Sequence, residues 1–258
     1  MHVLFGAGGN IGLSVGEDAV FVVDDQFAPL TPKIVAAIRT LTDKPVKFVL
    51  NTHWHGDHTG GNENLGKAGA LIVAQDNVRK RMSTQQFMAA MNLRVEPSPE
   101  GALPVVTFNC AVTFHINGDS IVVTHVAPAH TDGDAVVHFV KANVVHMGDA
   151  FNNAGFPFVD ISSGGVVQGI ISAADAVYAM TNASTRIIPG HGDVTDRARL
   201  KVWRDAVVAV RDGVQREARA GRTIDQILAL KLTAPYDAQW PAGQERFVRA
   251  VYEESTRR

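Results

Sequence analysis

The chain has 258 residues, 46% hydrophobic and 19% charged, which is enough apolar material to bury the core of an enzyme-sized unit. A formal net charge of −2 gives no field that would draw it to nucleic acid or to an anionic membrane, so the partner class to expect is a small-molecule substrate. The single cysteine, Cys110, excludes an internal disulfide and a cysteine-rich metal site and reads as a small core residue, and no apolar run reaches the roughly 20 residues a membrane span needs.

Taken in chain order, Met1–Gly6 lack the basic-then-apolar pattern of a secretory signal. Val3-Leu4-Phe5 follow Met1 at once, which leaves open a missing first strand, or a trimmed leader that would make the protein periplasmic. Phe5-Gly6-Ala7-Gly8-Gly9-Asn10 has the glycines of a phosphate loop without the Lys and Ser/Thr that would follow one, so a flexible hairpin over a groove is the better reading. Ile11–Val15 and Ala19–Val23 read as a strand pair. Thr31-Pro32 reads as an N-cap with proline at the first helical position, ahead of a stripe of Ile34, Val35, Ile38 and Leu41. Lys47–Leu50 is a strand, a helix opens at Asn62–Leu65, and Leu71–Ala74 is a further strand.

The stretch 77–93 is rich in Met, Gln, Arg and Ala and predicts a helix, although it has no clean stripe. Val105–Phe108, Ala111–Ile116 and Ser120–His125 predict a meander with a hairpin at Asn117-Gly118-Asp119. Ala135–Val140 and Val144–Met147 continue it, and a glycine-rich passage runs from Gly148 to Gly165. Val167–Met180 predicts a helix with Ile170, Ile171, Ala174, Val177 and Tyr178 on one face. Arg186–Ile188 is a strand. A long helix over 196–220 carries Leu200, Trp203, Val207, Val210 and Val214 at three- and four-residue steps, and Thr223 with Gln226 predicts a capping box. With no internal repeat and no linker, residues 1–258 read as one domain of two mixed sheets, stacked face to face with helices outside.

The chemistry concentrates in Thr52-His53-Trp54-His55-Gly56-Asp57-His58, on a strand-to-helix loop. Histidines two apart on an extended segment point to the same side, so His53 and His55 can converge on one ion. Asp57 and His58, where the chain turns, can address a second. Burying three histidines and an aspartate within six residues is costly without a metal. Catalytic zinc takes about three protein ligands and keeps a position for water, so others must come from elsewhere. His130 in Pro128-Ala129-His130-Thr131-Asp132-Gly133-Asp134, Asp149 in His146-Met147-Gly148-Asp149 and His191 in Pro189-Gly190-His191-Gly192 each stand in a loop beside a predicted strand. His138 and His146 lie on predicted strands and read as structural histidines, and His125 is a weaker candidate near the site.

These motifs and their order resemble the metallo-β-lactamase superfamily over nearly the whole chain. The resemblance implies an αββα sandwich, an α/β (α+β) fold of two mixed β-sheets flanked by helices, with a dinuclear site at one edge. It implies a first ion on His53, His55 and His130, a second on Asp57, His58 and His191, and Asp149 bridging both. The cofactor it implies is two Zn2+ per chain, with iron or manganese as alternatives. The β-lactamases that use a cysteine on the second ion place it where this chain has Asp149. The ligand set therefore resembles that of lactonases, glyoxalase-II-type thioesterases and general hydrolases. The reaction implied is attack on an acyl carbonyl, of a β-lactam or lactone type, by a hydroxide held between the ions, with Asp57 orienting it and relaying a proton. A thioesterase, or a mononuclear iron sulfur dioxygenase, is the alternative. Asp134 is a candidate carboxylate for the far nitrogen of a zinc-bound imidazole. Phe151, Phe156 and Phe158 are candidates to line an apolar substrate pocket, and Trp54 either walls the groove or packs beneath its loop.

Overall fold

Alternating apolar positions with β-branched side chains build most of the strands, and where both faces are covered the strand is apolar throughout, as in Val20–Val23. The computed structural model describes residues 1–256. It begins with β1 (His2–Leu4), β2 (Ile11–Val15), β3 (Val20–Val23), α1 (Thr31–Arg39), β4 (Val46–Leu50), α2 (Gly56–Thr59), α3 (Asn62–Lys67) and β5 (Leu71–Gln75). Next come α4 (Asp76–Met82), β6 (Gln86–Met88), β7 (Leu93–Val95), β8 (Val106–Phe108), β9 (Ala111–Ile116), β10 (Asp119–His125), β11 (Ala135–Phe139) and β12 (Val144–His146). The rest is α5 (Val167–Met180), β13 (Arg186–Ile188), β14 (Thr195–Asp196), α6 (Arg197–Arg219), α7 (Ile224–Ala229) and α8 (Gln244–Thr256).

One six-stranded sheet has the order β1-β2-β3-β4-β5-β8 and the other β14-β13-β12-β11-β10-β9. Both are mixed: β3, β4, β5 and β8 run parallel, as do β12 and β13, while the remaining pairs are antiparallel. Three apolar layers follow. Phe21, Leu50 and Val73 of the first sheet meet Ile121, Val137 and Phe139 of the second between the sheets. Ile11, Val20 and Val49 pack outward on Ile34, Ile38 and Leu65 of α1 and α3. Val136, Val145 and Ile187 pack outward on α5, α6 and α8 through Ile170, Trp203 and Phe247. This is the predicted αββα sandwich, and the long α6 stripe spends its apolar face on the sheet, as its spacing predicts.

Four local expectations are corrected. The predicted helix over 77–93 stops at Met82, where the Ser83 and Thr84 hydroxyls donate to the Lys80 carbonyl. Such local bonds compete with helix propagation, and the chain continues as the β6–β7 hairpin, turned by Asn92 in the left-handed region at φ 48°. Thr31 is not the cap of α1, because the helix begins on it with Leu30 as N-cap; its hydroxyl accepts a hydrogen bond from Asn64 Nδ2 at 3.2 Å. Leu41 lies beyond the end of α1 and is exposed. Cys110 is exposed, not core, since it stands where the chain passes from β8 in one sheet to β9 in the other. The capping box at Thr223 and Gln226 is present at the start of α7. Among the described residues no helix is long and apolar enough to cross a membrane.

Candidate metal centre

Parallel strands deliver their C-terminal ends to one edge of a sandwich, and loops there are free to carry function. β4 ends at Leu50 and passes into the histidine loop, whose anchor is Asp24 at the end of the neighbouring β3. Asp24 stands in the left-handed region at φ 59°. From there its carboxylate accepts the Thr52 amide at 2.7 Å and the Thr52 hydroxyl at 2.8 Å, and it accepts from His58 Nδ1 at 2.8 Å. Thr52, His53 and His55 are thereby fixed before α2 begins, with His55 as its N-cap.

The structure brings all seven candidate ligands together. His53, His55 and His130 have ligand atoms within 4.8 Å of one another; so do His53, His58 and Asp149, and so do Asp57, His58 and His191. His130 Nε2 is 2.8 Å from His55 Nδ1. His191 Nε2 lies 3.3 Å from Asp57 Oδ2 and 3.4 Å from Asp149 Oδ1. The approach is close enough to need glycine at two points: a Cβ on Gly9 would collide with the His58 imidazole, and one on Gly190 with the Asp149 carboxylate.

Three imidazoles turn one nitrogen outward to a hydrogen-bond anchor and the other inward. His58 Nδ1 donates to Asp24, His55 Nε2 to Asp160 Oδ2 at 3.1 Å, and His130 Nδ1 to the Phe158 carbonyl at 2.6 Å. His53 Nδ1 is 3.1 Å from the Thr52 hydroxyl, while its Nε2 is buried without a hydrogen-bond partner. An unpaired buried ring nitrogen aimed at two other imidazoles is costly, and a cation answers that cost. Burial, then the neighbouring His58 and His130, push the His53 pKa well down. Burial and His55 take His130 down to about 4, so both are neutral donors as ligation requires. On the other side, burial opposes charge on His58, but Asp149, Asp24 and Asp57 outweigh it and hold its pKa well up; Asp149 chiefly raises His191 to about 10. The field that keeps positive charge there is the field a divalent cation would satisfy. The donor set therefore fits a bound metal ion.

The predicted neighbours sort differently. Asp134 does not reach an imidazole; its carboxylate accepts the His130 and Thr131 amides at 2.6 and 2.9 Å and the Thr131 hydroxyl at 2.6 Å, closing the loop that carries His130. Burial raises its pKa to about 7. Phe151 and Phe156 are buried in the outer core with Trp203 and Phe247 and line no pocket at the centre; of the three phenylalanines only Phe158 meets the ligands, stacked on His55 with centroids 5.9 Å apart. Trp54 packs beneath the loop with Val78 and Met82, its indole N–H donating to the Ser163 hydroxyl at 3.2 Å. The 5–10 segment is pinned, with the Gly9 amide on the Asp57 carbonyl at 3.0 Å and the Asn10 amide group on the Pro189 and Gly192 carbonyls at 2.9 and 2.7 Å. His146 is structural, bridging the Asn10 carbonyl and the Gly148 amide, and His125 turns to the Asp134 carbonyl.

Asp24, Asp160 and the Phe158 carbonyl are the anchors that sequence reasoning missed. Asp160 had a local signal, since Ser162 and Ser163, two and three residues after it, can close a turn on its carboxylate, as their hydroxyls do. For Asp24 the only signal was a charged pair, Asp24-Asp25, ending an apolar strand.

A family model described as the metallo-beta-lactamase superfamily matches residues 5–214. Among curated proteins the chain is 23% identical to a linear primary-alkylsulfatase of Pseudomonas sp. (strain ATCC 19151), over 92% of this chain and 53% of the relative. Among solved structures it is similar to a double mutant of the sec-alkyl sulfatase PisA1, with a TM-score of 0.73 and 16% identity over 98% of this chain and 48% of the other. It is also similar to a metallo-beta-lactamase from Pontibacter korlensis, with a TM-score of 0.62 and 20% identity over 80% of this chain and 92% of the other. The chain thus spans about half the length of the alkylsulfatases it matches.

Proposed function

This chain belongs to the metallo-beta-lactamase superfamily, and from that premise we propose that it is a zinc-dependent hydrolase attacking the acyl carbonyl of a small cyclic amide or ester, of the β-lactam or lactone type. The observation that carries this reading is Asp149, whose Oδ1 lies 3.2 Å from His58 Nε2 and 3.4 Å from His191 Nε2, and whose Oδ2 lies 3.6 Å from His130 Nε2. A carboxylate shared in this way suits two cations, one on His53, His55 and His130 and one on Asp57, His58 and His191. When bound, such ions lower the pKa of water toward neutrality and polarise a carbonyl oxygen.

The chain's own atoms do the rest. Asp57 Oδ2, at the open side of the centre, orients the attacking water, accepts its proton and passes it to the leaving atom. Asp24, Asp160 and the Phe158 carbonyl hold three imidazoles in one tautomer, so the ligand set does not reorganise during reaction. Phe158 and Trp54 keep water from the closed side. The same residues serve a thioester as well, where only the leaving atom differs. A sulfate ester is the second reading, supported by the relative named for alkylsulfatase activity, which matches over 92% of this chain.

The test is metal analysis of protein purified without added zinc, with turnover of β-lactams, homoserine lactones, glutathione thioesters and alkyl sulfates measured before and after chelation. Two zinc ions per chain and chelator-sensitive opening of a lactam or lactone are expected. Turnover of alkyl sulfates alone would move the assignment to the second reading. One iron per chain with oxygen uptake, or unchanged turnover after verified metal loss, would overturn both.

A further inference from the structure

Beside the His55 and Phe158 face of the centre lies a cavity of about 700 Å³, within the range of small-ligand sites. The tip of the β6–β7 hairpin (Ala89, Ala90), the turn at Asp160–Ser162 and the start of α8 (Arg246) form its walls. None of the seven candidate ligands lines it, so the reaction does not take place there, but two residues join it to the centre. Asp160 lines the cavity while its Oδ2 holds His55 Nε2 at 3.1 Å. Phe158 stacks on the His55 ring, and the Arg246 guanidinium carbon stands 4.5 Å from the centre of that same phenylalanine ring.

The charges around the cavity leave one cation uncommitted. Among the described residues, the ion pair within α8 joins Arg249 to Glu245 at 2.8 Å, and Asp160 is engaged by His55, Ser162 and Ser163. Arg246 is exposed, and the contact it shows is with the Phe158 ring. A guanidinium lying on an aromatic face is oriented without consuming its N–H edge, and that planar edge matches a carboxylate in bidentate fashion. Ala89, Ala90, Val159 and Ala250 give the cavity an apolar wall that suits a short methylene chain, while Gln244, Glu245, Arg249 and Glu253 of α8 make its opposite wall polar beside Arg246.

Resting on the hydrolase reading above, we propose that this cavity is the subsite for the substrate's acyl tail and that Arg246 binds a carboxylate at the tail's far end. The reacting carbonyl sits at the candidate ligands, the tail crosses the edge of Phe158, and the preferred substrates are half-esters or amides of dicarboxylic acids. Arg246 is then a specificity-determining residue, acting on binding and not on bond cleavage.

Two measurements on the metal-replete protein test this. The first is the kcat/KM ratio for the mono-p-nitrophenyl ester of adipic acid over p-nitrophenyl hexanoate, matched in chain length. A preference of about tenfold for the acid-tailed ester is expected, carried in KM, abolished in Arg246→Ala and inverted in Arg246→Glu. The second is calorimetric binding of adipate against hexanoate, where the shared carboxylate cancels binding at the metals and adipate is expected to be about tenfold tighter in the parent protein only. A ratio that Arg246→Ala leaves unchanged, or losses equal for the two esters, would overturn the subsite even with hydrolysis intact. Arg246-dependent adipate binding in a protein that cleaves neither ester supports the subsite and counts against the hydrolase reading instead.

Discussion

His53, His55 and His130 form a closed wall of the centre, buried and anchored from behind, whereas Asp57 and His191 stand at its open side with 28% and 31% of their side-chain surface accessible. In the closed trio burial outweighs the nearby Asp149 and keeps His53 and His130 neutral. The open side is crowded with carboxylates that hold His58 and His191 positive. A metal at the closed side would relieve the unpaired His53 Nε2, and one at the open side would replace protons. The difference teaches that, on the proposed two-ion reading, the closed half would retain its ion and the open half would face substrate and exchange protons with solvent.

Asp149 is where the two halves meet, so its loss is the largest test of their interdependence. Asp149→Ala is expected to remove metal from both sides and to lower kcat/KM by about a thousandfold or more. Metal content and turnover measured on one preparation check it; a variant that keeps two ions would show that the halves are independent. Next comes the contrast between walls. In chelated protein, to exclude ligand linkage, His130→Ala is expected to cost about 2–4 kcal/mol of unfolding free energy, because it leaves a buried gap and an unpaired Phe158 carbonyl. His191→Ala, at a partly exposed position, is expected to cost about 1 kcal/mol or less. Equal losses in denaturant titrations would erase the distinction drawn between the two sides. The smallest effect is expected from Asp160→Asn, which keeps the shape but weakens the anchor on His55. Zinc affinity of the proposed site on His53, His55 and His130 is expected to fall about tenfold, read by chelator competition, with the second site unmoved.

The residues that could be read in the sequence are those whose chemistry is local. His53, His55, Asp57 and His58 are close neighbours in the chain, and His130, Asp149 and His191 each stand just beyond a strand beside Gly or Pro. Hydrophobic periodicity marked most strands and the α5 and α6 helices for the same reason, since each element carries its own pattern. The helix expected over 77–93 failed because composition favours helix there while the Ser83 and Thr84 hydroxyls and the Asn92 turn act against it. Phe151 and Phe156 misled because apolar rings near a site look alike in sequence whether they face the groove or the core beneath it.

By itself the sequence determined the candidate donors, the sandwich architecture and the edge at which the loops gather, because spacing and period are properties of neighbouring residues. The tertiary structure alone decided which groups hold those donors. Asp24 lies 34 residues from His58, Asp160 lies 105 from His55, and the Phe158 carbonyl lies 28 from His130. No periodic signal spans such distances. These contacts arise only when two sheets stack and bring the ends of separate strands to a common edge, and the same stacking sets Arg246 of α8 against the ring that backs His55.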